Sequence, residues 1–79
     1  MVKSFDDCVK AAATWDKENE EIDLNPNIIL EVEGKKYKAY TVSICKCDLL
    51  FYCETATVTY DIDIYYGNPV AVLRDVIDD

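Results

Sequence analysis

The stretch TVTYDIDIYYGNP, Thr57 to Pro69, sets apolar Val58, Tyr60, Ile62 and Ile64 against Thr57, Thr59, Asp61 and Asp63 in strict alternation. Successive residues of a β-strand point to opposite faces of a sheet, so one set can build a core while the other forms an outward row. Tyr66 continues the first set and Tyr65 the second. The alternation predicts a strand over residues 57–66 with one buried face. The C-terminal segment beyond it has two readings. Asn68 can cap a helix and Pro69 suits the first helical position, after which Val70, Leu73, Val76 and Ile77 recur at helical spacing. The β-branched run from Val70 to Leu73 favours a last strand instead. Cap and spacing together predict a short C-terminal helix, with the strand as the alternative.

Upstream, the apolar run Leu49 to Cys53 predicts a partner strand for this one. Ile28 to Glu33 and Lys36 to Ile44 read as two further strands around a Gly34-Lys35 turn. That turn places Glu33 opposite Lys36, Glu31 opposite Lys38, Val32 beside Tyr37 and Leu30 beside Ala39. Tyr40, Val42 and Ile44 are then left on the other face. Either a bulge switches faces or both faces are partly covered. Ser4 followed by Asp7 resembles a capping box, and Phe5, Cys8, Val9, Ala12 and Trp15 fall on one helical stripe. A helix is predicted over about residues 5–20, ended before Asn25-Pro26-Asn27. A helix stripe and a half-apolar sheet bury against each other. The expected fold is therefore α+β: an N-terminal helix packed on a 3–4 stranded antiparallel sheet, with a short C-terminal helix or strand.

With 79 residues and only two glycines and two prolines, the chain is expected to form a single compact domain over residues 1–79. The N-terminal Met-Val-Lys-Ser-Phe-Asp-Asp has acids where a secretion signal needs an apolar run. No stretch approaches the roughly 20 apolar residues of a membrane span. A soluble, cytoplasmic protein is expected. Acids outnumber bases 16 to 8, for a formal charge of -8. After Lys38 the only bases are Lys46 and Arg74, and Glu18, Glu20, Glu21 and Asp23 form an acidic segment upstream. Such a balance disfavours direct contact with nucleic acid or anionic membrane and steers the chain toward basic surfaces. The same charge also serves solubility.

Chemical motifs are scarce. The chain has no histidine, hence no Ser-His or Cys-His pair, and its glycines, Gly34 and Gly67, form no phosphate loop. Adjacent exposed carboxylates such as Asp61 and Asp63 lack the enclosed pocket that would split their pKa values for acid-base work. No enzymatic activity and no cofactor are expected. Cys45 and Cys47, read as Cys-x-Cys on a strand, would hold their sulfurs on one side about 7 Å apart, a poor match to the Cys-x2-4-Cys turns of structural zinc sites. Cys8, Cys45, Cys47 and Cys53 are therefore read as reduced and metal-free, Cys8 as part of the helix stripe. Tyr65 is the tyrosine best placed for contact, since it extends the acidic row and tyrosine brings large area with a polar tip.

High acidity, small size and the lack of catalytic residues resemble the profile of small phage-encoded inhibitors, including anti-CRISPR proteins and other DNA mimics. The resemblance is compositional, spans the whole chain and is carried by no motif. It implies a non-enzymatic inhibitor that occludes a basic nucleic-acid-binding site on a partner protein, acting as a monomer or homodimer. Asp61, Asp63 and Tyr65 are the expected contacts, with Glu18, Glu20, Glu21 and Asp23 as a second acidic group. Two alternatives are an acidic interaction or assembly module, such as an oligomerising domain or an antitoxin-like partner of a basic protein, and a cysteine-based metal-binding module.

Overall fold

Val58, Tyr60 and Ile62 do face a core, and the strand that carries them is the fourth of five. A computed structural model describes residues 4–14 and 21–78 as a helix α1 (Phe5–Thr14) followed by strands β1 (Glu21–Val32), β2 (Lys35–Cys45), β3 (Asp48–Cys53), β4 (Ala56–Tyr65) and β5 (Asn68–Asp78). Each strand pairs antiparallel with the next, giving a meander in the order β1-β2-β3-β4-β5. The expected helix on a three- or four-stranded sheet with a short C-terminal helix or strand is therefore corrected: most of the described chain is strand, the sheet has five strands and is curled, the C-terminal segment takes the strand alternative, and the one helix among the described residues has 10 residues.

α1 begins as its sequence requires. The Asp7 amide donates to Ser4 Oγ at 3.1 Å, which satisfies one of the unpaired N–H groups at a helix start. Cys8, Val9 and Ala12 are buried, and Phe5 is partly buried against Phe51 and Tyr60. The ring of Phe5 stacks on Phe51 and meets Tyr60 edge-on, at 5.7 and 5.1 Å between centroids. α1 touches β2, β3, β4 and β5. The rest of the helix expected over residues 5–20, with Trp15, lies outside the described residues.

The C-terminal correction has a local cause. Tyr66 and Gly67 have φ of 50° and 81°, and positive φ at both central residues is the signature of a type I′ turn. This turn closes a hairpin in which Tyr65 pairs with Asn68 and the ladder runs to Ala56 opposite Asp78. Asn68 is thus the first residue of β5 and not a helix cap. Pro69 is tolerated because β5 is an edge strand. The helical-looking spacing of Val70, Leu73, Val76 and Ile77 comes partly from a bulge. Asp75 pairs with Thr59 but Leu73 with Tyr60, so Arg74 is an extra residue.

A second I′ turn shifts the first hairpin. Glu33 (φ 52°) and Gly34 (φ 82°) are its central residues. Glu31 therefore pairs with Lys36 and Leu30 with Tyr37, two residues along β2 from the expected pairing with Lys38 and Ala39. Glycine is needed at the second turn position, where the sequence reading had placed it first. The face change along β2 is a bulge: Ala39 pairs with Cys53 and Thr41 with Tyr52, leaving Tyr40 extra. Tyr37, Ala39, Val42 and Ile44 are all buried as a result. Asn25-Pro26-Asn27 does not end a segment but forms a bulge inside β1, with both asparagines at positive φ and Pro26 fully buried.

The core lies where α1 meets the sheet, built on Val42, Ile44, Leu49, Phe51 and Val58, each 0% exposed. β4 outruns it: Ile62 is 4% exposed, but Ile64 is 57% and Tyr66 102% exposed. The expectation that Ile64 and Tyr66 join the core is corrected by this overhang. Among the described residues no helix is long and apolar enough to cross a membrane.

Candidate interaction surface on the last hairpin

Direct cross-strand partners share a face, so the register maps the sheet surface opposite α1. On β4 and β5 that surface pairs Asp63 with Val70, Asp61 with Val72, Thr59 with Asp75 and Thr57 with Ile77. β3 adds Asp48 opposite Asp61 and Leu50 opposite Thr59. On β1 and β2 it carries Ile29, Glu31, Lys36 and Lys38 instead. The surface is thus divided, with lysines toward the first hairpin and aspartates toward the last.

The aspartate row is less uniform than its sequence suggests. Asp48 and Asp61 sit directly opposite each other, an arrangement that destabilises like charges. The bulge at Arg74 relieves it, since one guanidinium nitrogen lies 2.8 Å from Asp61 Oδ1 and 3.5 Å from Asp48 Oδ1. Burial pushes the Asp48 carboxyl above its usual range against the pull of Arg74, and a hydrogen bond and repulsion from Asp61 add to the rise. Asp61 is half-buried and held in this partly exposed ion cluster with Arg74 and Asp48. Thr59, in the same row, is buried. Asp63 is exposed and, among the described residues, has no ion-pair partner.

Beside and beyond Asp63 the hairpin is apolar and bare. Ile64, Tyr65 and Tyr66 on one side of the turn, and Val70, Val72 and Leu73 on the other, are all exposed large side chains. Ile64, Tyr65, Tyr66 and Val70 arise from the overhang, because the last residues of β4 and the first of β5 extend past the core, whereas Val72 and Leu73, opposite Asp61 and Tyr60, are exposed because β5 is the edge strand. Tyr65 is thus placed as expected, at the end of the row with Asp63. Ile64, Tyr66, Val70 and Val72 were missed. The signal for the valines was present as alternation after Tyr66-Gly67, masked by the capping signal at Asn68-Pro69.

The second acidic group is elsewhere. Glu18 and Glu20 lie outside the described residues. Glu21 and Asp23 belong to β1, opposite Ile44 and Val42. Their strand is the far edge of the sheet, three strand spacings or about 14 Å from β4. The fold does not join them to Asp61 and Asp63.

Other chemistry is sparsely provided. Cys8 and Cys53 are buried, whereas Cys45 is partly exposed and Cys47 is exposed. The reading of Cys45 and Cys47 as neighbours on one strand is corrected, because Cys47 occupies the turn after β2 at a φ of 65°. Its amide donates to the Ala12 carbonyl and its carbonyl accepts from the Ile62 amide, tying α1 to β4. Among the described residues no three His, Cys, Asp or Glu side chains gather where they could hold a metal ion. An open depression of about 540 Å³ lies over the bulge of β1, lined by Asn25, Asn27, Lys36, Lys38, Tyr40 and Glu54 among others. Comparison with known proteins finds no matching family model, no matching curated relative and no matching solved structure.

Proposed function

We propose that this chain is a non-enzymatic binding protein that engages a basic surface of a partner protein through the β4–β5 hairpin. The observation that carries the reading is the continuity of Asp63 with exposed Tyr65, Tyr66, Val70 and Val72 on one projecting element. Apolar and tyrosine-rich area supplies binding energy once water is excluded, and a surrounding negative field steers a basic partner. A partner whose basic surface normally holds nucleic acid would be inhibited by occlusion, because the hairpin would cover the groove and compete for its cations. Arg74 assigns Asp61 a different part, shaping the row rather than presenting charge.

The test is capture by the tagged full chain, followed by binding measurements with the captured protein. Asp63→Lys and Tyr65→Ala are each expected to weaken binding at least about tenfold, with wild-type affinity falling as salt rises. Lys38→Ala, on the first hairpin, should bind as wild type. Unchanged affinity of both hairpin variants would overturn the reading and leave Asp63 a role in solubility only.

A further inference from the structure

Among the described residues no strand pairs with the outer edge of β5. The phase of the ladder shows which backbone groups that edge presents. A two-residue I′ turn makes its flanking pair, Tyr65 and Asn68, hydrogen-bonded, and bonded pairs then alternate with non-bonded ones. Asp63 with Val70 and Asp61 with Val72 are bonded pairs. Ile64 with Pro69, Ile62 with Ala71 and Tyr60 with Leu73 are not, so the peptide groups of Pro69, Ala71 and Leu73 point outward. Pro69 has no N–H to lose there. Ala71 and Leu73 each present a donor and an acceptor.

Natural edge strands are usually blunted by charged side chains, lysine above all, by proline, by short length or by bulges. β1, the opposite edge, is broken by two extra residues between Leu24 and Ile28. β5 is 11 residues long and contains no lysine, and between its proline, Pro69, and its bulge at Arg74 the stretch from Val70 to Leu73 pairs without a break. Its one cation, Arg74, is engaged by Asp61 and Asp48. Val70, Val72 and Leu73 beside the edge are exposed, with Asp75 and Asp78 further along it and Asp63 one strand inward.

We infer that the β5 edge accepts an extended partner segment, in which lysine or arginine alternates with apolar residues, as a sixth strand. Backbone bonds from Ala71 and Leu73 would give affinity, and the side chains beside them would choose the sequence. Charge selects this occupant over a second copy, which would bring together two chains of -8 each. The inference rests on the proposed binding through this hairpin and adds the mode.

The probe is a nine-residue alternating Lys/Val peptide, compared with the same peptide carrying N-methyl groups on all its amides, which keeps the charge and removes the donors. The Lys/Val peptide should slow hydrogen exchange at the Ala71 and Leu73 amides of the full chain, and the methylated peptide should not. Ala71→Pro deletes an outward N–H while sparing the ladder to β4, as Pro69 already does, and should weaken peptide binding about tenfold, the equivalent of one lost backbone hydrogen bond. If that variant does not fold, the methylated peptide decides alone. Absence of peptide binding, or equal binding of both peptides, would overturn the edge mode. Equal binding combined with loss on Asp63→Lys would leave the hairpin a charge-based contact. Protection of Ala71 and Leu73 in the protein alone, with a doubled sedimentation mass, would assign the edge to a second copy and also overturn it.

Discussion

Arg74 has the most consequential position of any single residue on the sheet surface, because one bulge lets it reach two opposed carboxylates. Arg74→Ala should cost about 1 kcal/mol at pH 7, measured by urea unfolding, because it removes the cation shared by Asp61 and Asp48. Asp48 makes stability depend on pH. Its folded pKa lies above the ordinary value of 3.8, so the folded state holds that proton more tightly than the unfolded one. The contribution of Asp48 is therefore most favourable below pH 3.8 and declines as pH rises through the folded value. Asp48→Asn, which keeps a donor toward Asp61, should abolish that decline in a stability-against-pH profile. The same cluster separates two aspartates that look equivalent in sequence. Asp61→Lys places a cation against Arg74 and should destabilise, whereas Asp63→Lys should stay within about 0.5 kcal/mol of wild type.

At the level of elements, two X-Gly turns set the register of both outer hairpins. Glu33 is a poor residue for φ of 52°, and asparagine adopts that conformation more readily. Glu33→Asn should raise stability by about 0.5 kcal/mol. Gly67→Ala meets no neighbouring atom within 4 Å, so any loss reports backbone strain alone, about 1 kcal/mol at φ of 81°. Thermal unfolding of the two variants checks both signs. The two strands flanking each glycine were readable where alternation survives in them. β5 was readable only as the alternative strand from Val70 to Leu73, because a capping residue and a proline imitate a helix start when the turn before them is overlooked.

For the molecule as a whole, one core between α1 and the sheet carries the stability, and the last hairpin projects beyond it. Phe51→Ala should cost about 3–5 kcal/mol and Ile62→Ala about 2–5 kcal/mol in denaturant unfolding, since both are buried. Ile64→Ala, two residues further along the same alternating set, should cost no more than about 0.5 kcal/mol. A steep drop between positions 62 and 64 would place the limit of the core; equal losses would show that the hairpin tip is covered. This split between a stable body and a bare tip is what leaves Tyr65, Tyr66 and Val70 available for contact, while Val72 is exposed by its place on the edge strand.

Local alternation and capping chemistry were enough to determine the start of α1 at Ser4, the four strands around Leu30, Val42, Phe51 and Val58, and the buried faces of Val58, Tyr60 and Ile62. These depend on steric rules that act within a few residues. Tertiary structure alone decided that residues 68–78 form a fifth strand, because its pairing with β4 outweighs a weak helical signal. It also decided which aspartates remain available. Asp61 meets Arg74 only through a bulge that shifts one strand against another, and Asp63 lies beyond that reach; no spacing in a single strand records such a difference.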